Sequence, residues 1–448
     1  MNARYQQIAR LLKTSIAAGE LAPGARLPSS RTFAQENGVS RATVEHAYAE
    51  LVAQGWVERR GQAGSFVAET VTPGNATPSP FTAEGSDKIP QPFQMGLPAL
   101  DLFPRALWAR LMGRRLRTQT RYDLGPGEVA GEWLLRQAIV DYLRFSRSID
   151  CVPEQIFITA SYALSMTLIL RTLASAGDGM WVEDPGFPLI RPVIAREQVT
   201  LLPVPVDENG MNIDAARALH PHARFVLLTP AHQSPLGVAL SLPRRRQLLD
   251  WAAHREAWII EDDYDSEFRY HGKPLPPLKS LDAPQRVIYA GTFSKPLFPA
   301  IRTGWIVVPA PHIEAFRQQA AMLPCTVPGL VQLTLADFIS QGHFWRHLKN
   351  MRQQYARRRD WLEMALRKQG FDVVAQLGGI HLVMAVEGDD REMAARANQG
   401  GLAVQALSAW QLEGETRRGL ITSFTNVASA NMADQLAEKL RRAIQNAP

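Results

Sequence analysis

Six short apolar runs punctuate the chain between residues 156 and 308, at 156–159, 180–183, 225–229, 258–261, 286–289 and 304–308. Stretches of helical period separate several of them, for example 165–174 and 243–254. A run of four or five residues that is apolar at nearly every position needs cover on both faces. That requirement selects a multidomain α/β architecture in which a mostly parallel sheet lies between layers of helices. Such sheets collect ligands at the carboxyl ends of their strands. Ser161, Phe187, His232, Asp262 and Lys295 each follow one of the runs, so they are expected along one rim.

The first seventy residues have a different texture. Ile8, Leu11, Leu12 and Ile16 predict an amphipathic helix over 4–18, ended by Gly19 and Pro23-Gly24. Ser29 or Ser30 is placed to cap a second helix, which Asn37-Gly38 breaks. Ser40 caps a third, running from Arg41 to about Gln54 with Val44, Ala47, Tyr48 and Leu51 inward. Two short helices around a tight glycine turn form the helix-turn-helix pattern. Residues 55–67 read as a hairpin with a glycine-rich tip, a wing. Residues 1–70 hold eight Lys/Arg against six Asp/Glu, so tight binding to a polyanion calls for two copies acting together.

From about Ala68 to Pro92, prolines and glycines replace any apolar period. The chain therefore divides into 1–68, an exposed linker at 69–92, and a large domain at 93–448. Cys151 and Cys325 are too few and too far apart for a disulfide framework or metal cluster, so no metal is expected. The polar start and the lack of a span-length apolar run point to a cytoplasmic protein rather than a membrane or exported one. The net charge of +6 and pI near 9.4 agree with a nucleic-acid partner without requiring one.

The most telling chemistry lies in Gly291-Thr292-Phe293-Ser294-Lys295, followed by Arg302. An amine between hydroxyls, with a guanidinium nearby, suits a cofactor carrying both an aldehyde and a phosphate. Pyridoxal phosphate is such a cofactor. It needs a carboxylate against its ring nitrogen, for which Asp262 is available. Tyr264 can bond the ring oxygen, and Phe187 can stack on the ring face.

The string LPSSRTFAQENGVSRATVEHAYAELVAQGWVERRGQAGSFV resembles the winged helix-turn-helix of GntR regulators over residues 4–67. GTFSKPLFPAIRTGW, EDDYDSEFRY and TPAHQSPLG resemble fold-type I, class I aminotransferases. Winged helix, proline-rich linker and aminotransferase-like domain in that order are similar to the MocR subfamily. The resemblance implies that Arg31, Ser40, Arg41 and Thr43 contact double-stranded operator DNA, with the Gly64 tip near the minor groove. It implies Lys295 as the catalytic, Schiff-base lysine, Asp262 at the ring nitrogen and Tyr264 at the ring oxygen. Thr292, Ser294, Arg302 and the turn at Ser161-Tyr162 are implied to hold the phosphate, with Phe187 stacking. A homodimer is implied too, in which Tyr122 reaches the partner's phosphate site.

Three departures bear on activity. The phosphate turn lacks the usual glycine and glutamine, and Ser161 forgoes glycine's backbone freedom. Ser234-Pro235-Leu236-Gly237 replaces an Asn-Pro-x-Gly, leaving His232 or Gln233 as substitutes at the ring oxygen. No arginine stands near Ile421 to clamp a substrate carboxylate; Arg191, Arg417 and Arg418 are the alternatives. Losing that clamp argues against efficient transamination. The favoured expectation is a transcription regulator that senses pyridoxal phosphate or an amine; the alternative is a working aminotransferase carrying an accessory DNA-binding module.

Overall fold

The computed structural model describes residues 4–69, 90–272, 276–323, 327–413 and 417–445. Cys325 and nearly all of the expected linker lie outside the described residues. The chain falls into two compact units, Met1–Lys88 and Ile89–Pro448.

In the first unit, helices α1 (Arg4–Ala17), α2 (Ser30–Glu36) and α3 (Arg41–Ala53) precede strands β1 (Val57–Arg59) and β2 (Ser65–Val67). The strands pair antiparallel, Val57 opposite Val67. Ser29 caps α2 by accepting from the Thr32 amide at 3.1 Å, and Ser40 caps α3 by accepting from Thr43 at 3.2 Å. Ile8, Leu12 and Ile16 of α1 meet Val44, Ala47, Tyr48 and Leu51 of α3 in one core. Leu11 corrects the sequence expectation: it is 59% exposed. At 100° per residue it falls about 110° from the centre of the buried face. The Tyr48 hydroxyl donates to the Pro28 carbonyl at 2.8 Å and ties the third helix to the start of the second.

The second unit is built on an eight-stranded sheet. Its strands are β3 (Ile156–Thr159), β4 (Gly179–Asp184), β5 (Thr200–Asp207), β6 (Gly210–Met211), β7 (Phe225–Leu228), β8 (Trp258–Asp263), β9 (Val287–Thr292) and β10 (Gly304–Val307). They lie side by side as β3-β10-β9-β8-β7-β4-β5-β6. The pairs from β9 to β5 are parallel, β10 runs antiparallel to both neighbours, and β6 is antiparallel to β5. All six apolar runs are strands. Strand β5 escapes pattern reading because Pro203 and Pro205 interrupt it; proline is tolerated there near the sheet edge. Trp181 stacks on Trp251 at 4.0 Å, which locks the sheet to the helix Leu242–Arg255. A second, four-stranded antiparallel sheet contains His381–Ala385 and Gly419–Ser423.

Candidate functional site

Strand register explains why distant residues meet. Gly304 of β10 pairs with Thr159 of β3 on one side and Thr292 of β9 on the other. Ser161 lies two residues beyond Thr159, Ser294 two beyond Thr292, and Arg302 two before Gly304. Three neighbouring strand ends thus gather the expected phosphate group of side chains. Further along the sheet, Asp262 pairs with Ala290 and Glu261 with Leu228, so the β8 acids share the same edge.

At the phosphate end, Ser161 has φ −172°, extended backbone open to any residue, so the missing glycine carries no strain. Its hydroxyl caps the twelve-residue helix Tyr162–Leu173 by accepting from Leu164 at 3.2 Å. The start of that helix offers backbone N–H groups and the positive end of a dipole. Thr292 Oγ1 accepts from the Ser294 amide at 3.0 Å and sets the turn that leads to Lys295. Arg302 sits in the left-handed region, φ 47°, and is exposed. Its amide donates to the Pro299 carbonyl at 3.1 Å, and its guanidinium has no hydrogen-bond or ion-pair partner among the described residues.

At the ring end, Asp262, Tyr162, Phe187, Glu183, Thr229 and Arg191 line one slot. Tyr162 lines the slot beside Asp262, and burial with the neighbouring Asp262 holds its phenol well above the ordinary range. Burial pushes Asp262 up to about 7; the Tyr162 hydroxyl opposes this, while Asp263, Glu183 and Asp265 add to it. Glu183 is likewise driven to about 7 by burial, despite accepting from the Thr229 amide and hydroxyl. The charges raising Asp262 are acidic, and the Lys295 amine is the cation that pulls the other way.

Tyr264 is held by His232, whose Nδ1 lies 3.0 Å from the phenol oxygen and 3.2 Å from the Asp265 carboxylate. Both Asp265 oxygens and His232 Nε2 are buried with no hydrogen-bond partner among the described residues. Gly379, at φ +86°, makes room: a Cβ there would stand 2.1 Å from the imidazole. Of the two proposed substitutes for asparagine, only His232 faces Tyr264. Gln233 instead braces its own loop, donating to the Pro185 carbonyl at 2.9 Å and accepting from Leu236 at 3.0 Å.

Lys295 donates to the Gly96 carbonyl at 2.9 Å. Burial lowers its pKa, opposed by Asp265 and Asp262, so its amine is less protonated than that of a solvated lysine. Phe187 is 37% exposed beside Trp410, at 5.9 Å between ring centroids. Arg417 and Arg418 are tied to the carbonyls of Val206 and Gly388. Arg191 alone of the three candidates lines the slot, donating to the Gly186 carbonyl at 2.9 Å. Tyr122 is 76% exposed and accepts from Arg121 at 2.6 Å. Sequence reasoning does not find Gly96, Glu183 or Asp265. Asp265 is visible within the acidic string, but nothing in the sequence ties residue 96 to residue 295.

The Asp262 shift makes a stability prediction. Between its ordinary 3.8 and about 7 the native carboxyl keeps a proton that the unfolded chain releases. Its contribution therefore weakens as pH rises through that window. The melting temperature of cofactor-free protein should fall from pH 4.5 to 7.5, and Asp262→Asn should flatten part of the decline in a calorimetric pH series.

In the first unit, Arg31 and Arg41 are exposed near the starts of α2 and α3, their guanidinium groups with no hydrogen-bond or ion-pair partner among the described residues. Ser40 and Thr43 are engaged with one another, their hydroxyl oxygens 2.7 Å apart. Glu45 of α3 holds Arg59 of the wing at 2.9 Å and so fixes the wing against the helix. Gly64 at the wing tip has φ 106°, ψ −159°, a conformation reserved for glycine.

These features define a DNA-reading winged helix joined to an aminotransferase-like domain. Residues 4–67 match the family model for bacterial regulatory proteins of the gntR family, and residues 108–444 that for aminotransferase class I and II. The chain belongs to the MocR-type GntR regulators. It is 33% identical to the probable rhizopine catabolism regulatory protein MocR of Rhizobium meliloti, over 96% of this chain and 92% of that protein. It is 31% identical to the pyridoxine biosynthesis regulator PdxR of Corynebacterium glutamicum, over 90% of this chain and 87% of the relative. In fold it is similar to a Pyrococcus horikoshii kynurenine aminotransferase solved in complex with PMP. The TM-score is 0.71 at 24% identity, covering 79% of this chain and 90% of that one.

Proposed function

We propose that the protein is a transcription regulator whose large domain binds pyridoxal phosphate through Lys295 and responds to that cofactor or to an amine competing for it. The observation that carries the reading is the shared rim. There the Lys295 amine, the buried Asp262 carboxyl and the Arg302 guanidinium, unpaired among the described residues, flank the ends of neighbouring strands. The residues fit the cofactor's chemistry. Asp262 would face the ring nitrogen, Tyr264 steadied by His232 the ring oxygen, and Phe187 the ring face. Ser161, the Tyr162 helix start, Thr292, Ser294 and Arg302 would hold the phosphate. The bound group would supply an electrophilic aldehyde carbon; the chain's part is to position the amine and balance the charge. A relative named for pyridoxine biosynthesis and a structural neighbour carrying PMP support the cofactor.

Regulation rather than turnover is favoured by the C-terminal sheet. By the family resemblance, class I aminotransferases carry a carboxylate-clamping arginine near Ile421; Arg417 and Arg418, just upstream, bond the Val206 and Gly388 carbonyls instead. In this reading the protein acts as a homodimer on double-stranded operator DNA, residues 69–92 tether the two domains, and Tyr122 serves the partner's site. Operator footprints with and without pyridoxal phosphate test it; identical footprints and affinities reject sensing. Sustained turnover with a panel of amino acids and 2-oxo acids would favour an enzyme.

Arg302→Ala should weaken cofactor binding about ten- to a hundredfold, the loss of charged hydrogen bonds worth about 1.5–3 kcal/mol. Lys295 should still be trapped covalently at saturating cofactor. Fluorescence titration with borohydride trapping separates the two effects.

A further inference from the structure

The chain enters the second unit through residues 90–99, a strap pinned at both flanks. The Pro92 carbonyl accepts from the Ala403 amide at 2.8 Å and the Phe93 carbonyl from the Ser423 amide at 3.1 Å. Beyond the centre, the Leu97 carbonyl accepts from the Thr425 hydroxyl at 2.6 Å, and the Ala99 amide donates to the Tyr355 hydroxyl at 2.8 Å. Phe93 is fully buried yet held at φ 69°, and Gly96 is at φ 79°. A bulky residue in the left-handed region is strained, so part of the strap's contact energy goes into holding it down. At the centre, Gly96 turns its carbonyl onto Lys295 Nζ at 2.9 Å, and a Cβ on residue 96 would stand 2.8 Å from that nitrogen.

We propose that the Gly96 carbonyl is the docking acceptor for the uncombined Lys295 amine, so that the strap reads whether that amine is free or covalently engaged. This rests on the cofactor reading above and adds the element that reports it. A free lysine ammonium carries three hydrogens. Condensation with an aldehyde forms C=N, expels one water and leaves Nζ at most one hydrogen. Any hydrogen left on Nζ would be drawn to the ring oxygen beside the new C=N bond, so the Gly96 carbonyl loses its donor and the strap keeps only its flanking bonds. An amine that takes the aldehyde carbon moves the C=N bond to its own nitrogen, and Lys295 regains its hydrogens and its hold on Gly96. Residues 70–89 connect the strap directly to the DNA-binding unit. The state of one amine thereby sets how firmly the tether's far end is seated.

Hydrogen exchange on the full-length protein tests this, scoring peptides that span 90–99 against a reference peptide containing Phe225–Leu228. Without cofactor, Lys295→Met should exchange about three- to tenfold faster in the strap than wild type, the loss of one hydrogen bond. Pyridoxal phosphate should bring wild type to the mutant's rate and leave the mutant unchanged. Hydroxylamine, which strips the aldehyde as an oxime and frees the lysine, should restore slow exchange. Equal strap rates in cofactor-free wild type and Lys295→Met overturn the docking contact. A wild-type strap indifferent to a cofactor adduct confirmed by mass on Lys295 overturns the coupling. Failure to form any adduct sinks the cofactor reading instead, and the cofactor-free comparison still decides the contact.

Discussion

Lys295→Ala should eliminate covalent capture of pyridoxal phosphate and lower the remaining affinity by at least about a hundredfold, equivalent to about 2.7 kcal/mol. The wild-type amine is favourably set: burial lowers its pKa and its hydrogen bond to Gly96 aims it. Asp262, Phe187 and Arg302 remain in the variant, so weak non-covalent binding should survive. Borohydride reduction followed by peptide mass analysis reads the covalent part; fluorescence titration reads the rest. The substitution removes a positive charge that buried Asp262 and Asp265 partly favour, so folding is checked by melting temperature in the same samples. An adduct that persists on another lysine, or an affinity that does not change, would remove the site assignment and leave the DNA-reading assignment intact.

Much of this arrangement is legible in the sequence because local chemistry and long-range geometry agree. Each apolar run becomes a strand, since residues buried on both faces have few alternatives. The capping serines at 29 and 40 mark helix starts because an unpaired N–H at a helix end needs an acceptor wherever the helix packs. The rim of Ser161, Phe187, His232, Asp262 and Lys295 follows from strand polarity alone. Other features depend on facts that no window of sequence holds. Leu11 reads as apolar at a helical position, but which face turns inward is decided by α3. Gln233 and His232 are neighbours with the same donor chemistry, and only the close approach of Gly379 shows which one stands beside Tyr264. The bond between residues 96 and 295 joins positions 199 apart in sequence and carries no motif.

Replacing Arg31 and Arg41 together by alanine should nearly abolish operator recognition while leaving the fold intact. Both guanidinium groups lie in solvent near helix starts, so removing them leaves no buried partner stranded. A base-reading arginine contributes about 1–3 kcal/mol of discrimination, and in a two-headed complex each loss counts twice, about 2–6 kcal/mol per position. The single variants separate the roles. If Arg41, the first residue of the recognition helix, reads a base, Arg41→Ala should relax specificity at one position of each half-site. If Arg31 grips a phosphate, Arg31→Ala should weaken all sequences alike and reduce the salt slope by about 0.9 for each phosphate no longer neutralised. Ser40→Ala provides the contrast. Its hydroxyl caps α3 and meets Thr43, so its removal should cost about 1 kcal/mol of stability in the DNA-binding unit before any effect on affinity. Gel-shift titrations across a salt series, paired with melting curves, distinguish weaker gripping of DNA from a loosened helix. Unchanged operator affinity in the double variant would mean that these arginines are solvated and that the wing, anchored through Arg59 and Glu45, carries recognition instead.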